Sequence, residues 1–145
     1  MKRFLRFIPI IIAIGAIISL TLMNTPKNVA MSEEFRKLLV RACEKLGISS
    51  DAWWNSSSGI RKLGHILEYG VLGIASGMAL IDSHRWFKGT AFALVLCVAV
   101  SFIDQSVKIF VPIRHFDWTD IPFDIIGAVL GIGVVVVIKM VIERA

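Results

Sequence analysis

IPFDIIGAVLGIGVVVVI, residues 121–138, carries one charged side chain, Asp124. At about 1.5 Å of rise per residue, a helix of this length crosses close to the roughly 30 Å of a bilayer's hydrocarbon. Three more stretches share its character: Phe7 to Met23, Leu63 to Ile81 and Phe87 to Ile103. The whole chain of 145 residues is 56% hydrophobic and 19% charged, with a mean hydropathy of +0.74. A soluble domain sits nearer about 45–50% apolar with about a quarter charged. Too little sequence remains for a separate soluble domain. The fold class expected is all-α: a polytopic membrane protein with four transmembrane helices plus one short amphipathic interfacial helix, residues 1–145 forming a single membrane domain.

Lys2, Arg3 and Arg6 precede the first apolar run as they would in a secretory signal. The segment Thr21 to Pro26 lacks a small-x-small cleavage site and the run is long, so an uncleaved anchor is expected. Basic residues concentrate on cytoplasmic segments of membrane proteins. Lys2, Arg3, Arg6, Arg85, Lys139 and Arg144 fall in the short segments 1–6, 82–86 and 139–145, which places both termini in the cytoplasm. The net charge of +5 suits anionic headgroups. No basic and aromatic ladder for nucleic acid accompanies it.

Between the first two spans, Asn24 to Lys62 is the one sizeable polar segment. Ser32-Glu33-Glu34-Phe35 reads as a helix start, a serine cap with acids in the first turn. Phe35, Leu38, Leu39, Ala42 and Leu46 repeat at helical spacing and Gly47 ends it. Arg36, Lys37, Arg41, Glu44 and Lys45 take the other face, the pattern of a helix lying on a membrane surface. Trp53 and Trp54 suit the headgroup interface. Asp82 to Trp86 is a tight turn that makes the second and third spans antiparallel neighbours.

Charged groups in or beside a span are costly and mark function by default. Here they are phased. Arg61, Lys62, His65, Glu68, Tyr69 and Ser76 share a face at the start of the second span. Ser101, Asp104, Gln105 and Lys108 follow at the end of the third. Asp120, Asp124, Gly127 and Gly131 open the fourth. An up-down topology brings all three groups to one face of the bilayer, outside the cytoplasm on this orientation. Gly73 and Gly77, and Gly127 and Gly131, hold the Gly-x-x-x-Gly spacing that lets helices approach closely. Structural ion pairing explains the charges as readily as a site does. Asp120, in Trp118-Thr119-Asp120-Ile121-Pro122, also reads as a helix cap. Cys43 and Cys97 lie in separate regions and read as apolar fillers. No spacing matches a metal site, no Ser or Cys nucleophile motif or phosphate-cradling loop is present, and no cofactor is expected.

The stretch Ile60-Arg61-Lys62-Leu63-Gly64-His65-Ile66-Leu67-Glu68-Tyr69-Gly70-Val71-Leu72-Gly73 resembles I-R-K-x-x-H-x-x-E-Y-x-x-L-G of the VanZ-like family of bacterial membrane proteins. Ser101, Asp104, Phe110, Pro112 and Arg114, then Trp118-x-Asp120, Asp124, Gly127 and Gly131, resemble its S-x-x-D-E-x-x-Q-x-F-x-P-G-R, W-x-D and D-x-x-G-x-x-x-G. Ser19 to Pro26 is similar to the family's end of the first span. This chain departs at Gln105 for an acid, Lys108 for a glutamine and Ile113 for a glycine. The resemblance implies a four-span protein of the bacterial plasma membrane, and its founding member is associated with reduced susceptibility to the lipoglycopeptide teicoplanin.

Three functions fit. In a binding module for an anionic amphiphile (a membrane lipid or lipid-linked cell-wall component), Arg61, Lys62 and Arg114 supply charge. His65, Tyr69, Gln105, Asp104, Asp120 and Asp124 then fix geometry. In an intramembrane enzyme on a lipid-linked substrate, His65 paired with Glu68, and Asp104, are the acid/base candidates. In a structural or regulatory membrane partner, the same groups are buried ion pairs.

Overall fold

The computed structural model describes residues 2–23, 25–47, 56–82, 85–112 and 114–144, through which six helices run. The one-turn α1 (Lys2–Leu5) stops at Arg6 and Phe7. Pro9 in the first turn of the next helix has no N–H to carry the ladder back to Leu5. That helix, α2 (Ile8–Leu22), ends where Met23 turns extended (φ −64°, ψ 136°). Its 15 residues make about 22 Å, short of the hydrocarbon thickness. Three helices rather than the expected four are long and apolar enough to cross a membrane: α4 (Ser57–Leu80), α5 (Trp86–Lys108) and α6 (Ile121–Arg144). The breaks at both ends of α2 leave it an apolar but shorter helix.

The amphipathic helix is longer than expected and starts earlier. α3 spans Thr25–Lys45, 21 residues, so Ser32 lies inside it rather than capping it. Pro26 falls in its first turn, where a missing N–H breaks no intrahelical bond. Glu33 and Glu34 instead pair one turn on with Arg36 and Lys37, each at 2.8 Å. Gly47 ends the helix as expected, at φ +70°. Leu38 and Leu46, from its apolar series, stay exposed. Trp53, Trp54 and Ile113 lie outside the described residues.

α4 begins at Ser57, ahead of its apolar run, because Ser56 accepts the Gly59 N–H at 3.0 Å. At its other end Lys139 donates to the Ile81 carbonyl, a cation on a helix C-terminus. The most intimate packing is between α4 and α6. Here the glycines act as their spacing indicates. A Cβ on Gly127 would strike the Ile66 backbone, one on Gly131 the Gly70 carbonyl, and one on Gly73 the Ala128 carbonyl. Around this seam Ile10, Ala13 and Ile17 of α2 pack with Tyr69, Leu72, Cys97, Val100 and Ala128. Outward, Leu67, Val71, Phe92, Val95, Val134 and Val137 are exposed. An apolar exterior of this extent suits lipid rather than water.

Replacing Gly131 with alanine should lower the midpoint of detergent unfolding by several degrees, a loss of about 1–3 kcal/mol. Gly133→Ala should be neutral or slightly stabilising, since a Cβ there meets nothing within 4 Å. Thermal unfolding of both variants side by side checks the seam.

Candidate functional site

The seam's register brings the start of α6 onto the first turns of α4, and the end of α5 closes the third side. Asp104, Asp117, Asp120 and Asp124 gather at this end of the bundle with Arg61, His65 and Lys108. Asp124, with no exposed surface, accepts from Ser101 Oγ at 2.6 Å and faces His65 Nδ1 at 2.8 Å. His65 Nε2 lies 3.2 Å from Asp120 Oδ2. Both ring nitrogens thus meet carboxylates, and only a ring carrying both protons donates to both. Lys108 Nζ sits 3.3 Å from Asp120, 3.5 Å from Asp104 and 3.5 Å from His65 Nε2. Thr21 of α2 donates to Asp104, tying the short helix to the cluster. Arg61 joins Asp117 at 2.8 Å and Asp120 at 3.4 Å at the rim.

Burying these ions costs several kcal/mol each, and only close partners offset it. Asp120 shows the balance. Burial alone would raise its pKa, but the His65 hydrogen bond and charge outweigh it, with Lys108 and Arg61 adding to the effect. Its carboxyl is held below the ordinary 3.8. Asp117 is lowered too, first by the Thr119 hydroxyl, which donates to it at 2.7 Å.

A cleft of about 560 Å³ opens over this cluster, between the end of α2, α3 and the start of α4. Its polar wall includes Arg61, His65, Glu68, Lys108, Arg114 and Asp120, and its apolar wall Leu20, Val29, Phe35 and Leu67. A volume of this order is that of a small-ligand pocket. Arg114 donates to the Thr21 carbonyl at 2.9 Å, which pins the α5–α6 connection to the end of α2. Beside the site, the Phe116 and Trp118 rings meet at a tilt of 52° with centroids 4.6 Å apart, and Trp118 is largely exposed.

The residues singled out in the sequence divide three ways. Arg61, His65, Glu68, Arg114 and Asp120 line the cleft. Tyr69, Asp104, Gln105 and Asp124 are buried behind it. The Tyr69 hydroxyl is enclosed without a well-formed hydrogen bond, Ser101 standing beside it. Gln105 accepts the Asp117 N–H at 3.3 Å, while its Nε2 is buried without a partner. Lys62 turns aside to cover the Phe123 ring at 4.8 Å. The expected His65–Glu68 pair is not the one formed. Asp120 and Asp124, pressed in by the glycine seam, take both imidazole nitrogens first. Asp120 likewise acts through its carboxylate in this cluster. Among the described residues no group of three His, Cys, Asp or Glu side chains is arranged to hold a metal ion. Thr21 and Asp117 were missed as site residues. Nothing in the sequence marks Thr21, a hydroxyl in an apolar run, whereas Asp117, three residues before Asp120, lay in plain view.

An apolar exterior around an end packed with buried ion pairs defines a helical membrane protein. The sequence profile of the VanZ/LLP1 family matches residues 7–139, nearly the whole chain, and the chain belongs to that family. Among curated proteins none matches, and among solved structures none matches.

Because the folded state holds Asp120 and Asp117 below their ordinary pKa, their contribution to stability is complete above about pH 5. It is lost as pH falls through and below 3.8. Unfolding midpoints recorded from pH 7 to pH 3 should fall mainly at the acid end. Asp120→Asn should lower the midpoint at neutral pH, by an amount equivalent to about 3 kcal/mol or more, and flatten the acid limb.

Proposed function

We propose that this protein is a four-crossing component of the bacterial plasma membrane that binds an anionic amphiphile, a lipid or lipid-linked cell-envelope component, in the cleft beneath α3. In this reading α2 is the fourth crossing, in locally thinned bilayer, and both termini are cytoplasmic. The cleft then opens at the outer face, with α3 along the interface. Exposed Trp118 suits headgroup depth. An effect on teicoplanin susceptibility, implied by the family resemblance, would follow from the state of an envelope amphiphile held there.

The observation that carries the reading is the position of Arg114. It lines the cleft, one N–H is on the Thr21 carbonyl, and no carboxylate lies within ion-pair distance among the described residues. A guanidinium keeps its charge at any physiological pH and presents a fork that fits phosphate or carboxylate. Apolar Leu20, Val29 and Phe35 beside it offer the surface that a hydrocarbon chain needs.

Phosphatidylglycerol added to detergent-solubilised protein should raise its unfolding midpoint. Arg114→Ala should lose most of that rise, weakening binding by about tenfold, the value of one charge-assisted contact. Arg114→Lys should keep part of it. A wild type indifferent to the lipid overturns the proposal.

A second reading, an intramembrane enzyme on a lipid-linked substrate, draws on a different observation. Asp124 orients His65 through Nδ1 while the ring lines the cleft. A cationic ring so held is placed to give a proton to a leaving oxygen. His65→Gln that folds and still binds lipid, but no longer turns over lipid-linked substrate in membranes, would favour this reading. Unchanged lipid composition in the variant's membranes speaks against it.

A further inference from the structure

Two charged groups along the cleft have no oppositely charged side chain within ion-pair distance among the described residues. Lys108 pairs with Asp120, Arg61 with Asp117, His65 with Asp120 and Asp124, and Glu33 with Arg36. Arg114 has only the Thr21 carbonyl. Glu68, half-buried one turn from His65, has no hydrogen bond or ion pair among the described residues. The remaining ionisable side chain, His115, is exposed. One cleft therefore presents one unmatched cation and one unmatched acid. An occupant bearing only a phosphate would answer Arg114 and leave the acid elsewhere on the cleft wall uncompensated, a costly arrangement at low dielectric.

The surface leading away from Glu68 indicates where the rest of the occupant goes. Leu67, on the cleft's edge, begins a stripe with Val71, Ile74 and Met78 on the outward side of α4, all four exposed. Their spacing of four, three and four residues keeps them on one helical face. A hydrocarbon chain leaving the cleft past Leu67 can continue down this stripe in the bilayer. A soluble zwitterion would make no use of it.

We propose that the cleft selects a phospholipid whose headgroup carries both a phosphate and a primary ammonium, the phosphate on Arg114 and the ammonium on Glu68, with an acyl chain along Leu67, Val71, Ile74 and Met78. The proposal rests on the amphiphile reading above, keeps its phosphate on Arg114, and amends its ligand from a net anionic to a zwitterionic headgroup. A primary ammonium gives Glu68 three N–H donors. A trimethylated one gives none, and a glycerol headgroup offers no positive charge.

The test titrates the full-length protein in detergent with phosphatidylethanolamine, phosphatidylglycerol and phosphatidylcholine of identical acyl chains, reading the unfolding midpoint. Soluble phosphoethanolamine forms a fourth arm. Wild-type protein should reach half-maximal stabilisation at about tenfold less phosphatidylethanolamine than either other lipid, and phosphoethanolamine should do far less. Glu68→Gln should erase that ranking, whereas Arg114→Ala should weaken all three lipids together. If the wild type ranks the lipids equally, or Glu68→Gln keeps the ranking, the zwitterion proposal is wrong. A general loss in Arg114→Ala would still leave the amphiphile reading standing. If Arg114→Ala changes none of the titrations, that broader reading fails as well. Phosphoethanolamine matching the lipid overturns the lipid assignment in favour of a soluble ligand. The wild-type ranking decides the matter even where a variant does not fold.

Discussion

The contact on which the rest depends is the backbone-to-backbone approach of α4 and α6. Lipid tails are as apolar as leucine, so no hydrophobic force drives helices together inside a bilayer, and close van der Waals fit must do it. Gly127 lies against the Ile66 backbone and Gly131 against the Gly70 carbonyl. The offset is four residues on each helix, which sets the register of one on the other. With Ile66 opposite Gly127, His65 falls beside Asp124, three residues earlier on α6. A side chain at Gly127 or Gly131 would push the helices apart and pull the acid from the imidazole. The glycines thus act on the polar cluster from outside it.

The cluster in turn is close to balanced by its own members. Asp104, Asp120 and Asp124 face Lys108, His65 and Arg61. Two departures from the family pattern bear on this balance. Gln105 removes a negative charge next to Asp104, and Lys108 adds a positive one where the pattern has a neutral glutamine. Both shift the cluster in the positive direction. Lys108 reaches two aspartates from different segments, a bridging role that a neutral amide does not fill. The chain supplies its own counter-charge at this point, which leaves the unpaired charges, Arg114 and Glu68, on the cleft wall rather than in its floor.

Much of this was legible beforehand because membrane sequences carry strong signals. Charges are so rare in the apolar runs that their phase reveals a face, and alternating span direction brings the faces to one end. The glycine spacing pointed correctly to the α4–α6 seam. The family named from the Ile60–Gly73 and Ser101–Gly131 motifs is the one found. What stayed hidden depends on distances between helices. Composition cannot show that Pro9 and Met23 cut α2 to 15 residues, nor that proline at 26 starts α3 before Ser32. Helical phase places Lys62 near Arg61 but does not show that a neighbouring ring, Phe123, draws it aside. His65 and Glu68 share a face, yet the partner of an imidazole is decided by whichever carboxylate the tertiary packing brings nearest.

The order of charges from the interior outward has a consequence for ligand binding. Deepest are Asp124 and Asp104, closed by Ser101 and Thr21 as well as by cations. Above them Lys108 and His65 share Asp120. Nearest the opening, Arg61 and Asp117 pair while Arg61 keeps half its side chain exposed. An occupant of the cleft that engages Arg114 need not open any of the buried pairs. Opening one would strand an uncompensated ion at a cost of about 3–5 kcal/mol, more than a single charge-assisted contact returns. A ligand of the proposed kind would therefore engage the charges the fold has left unpaired, Arg114 and Glu68, and leave the paired cluster beneath them intact.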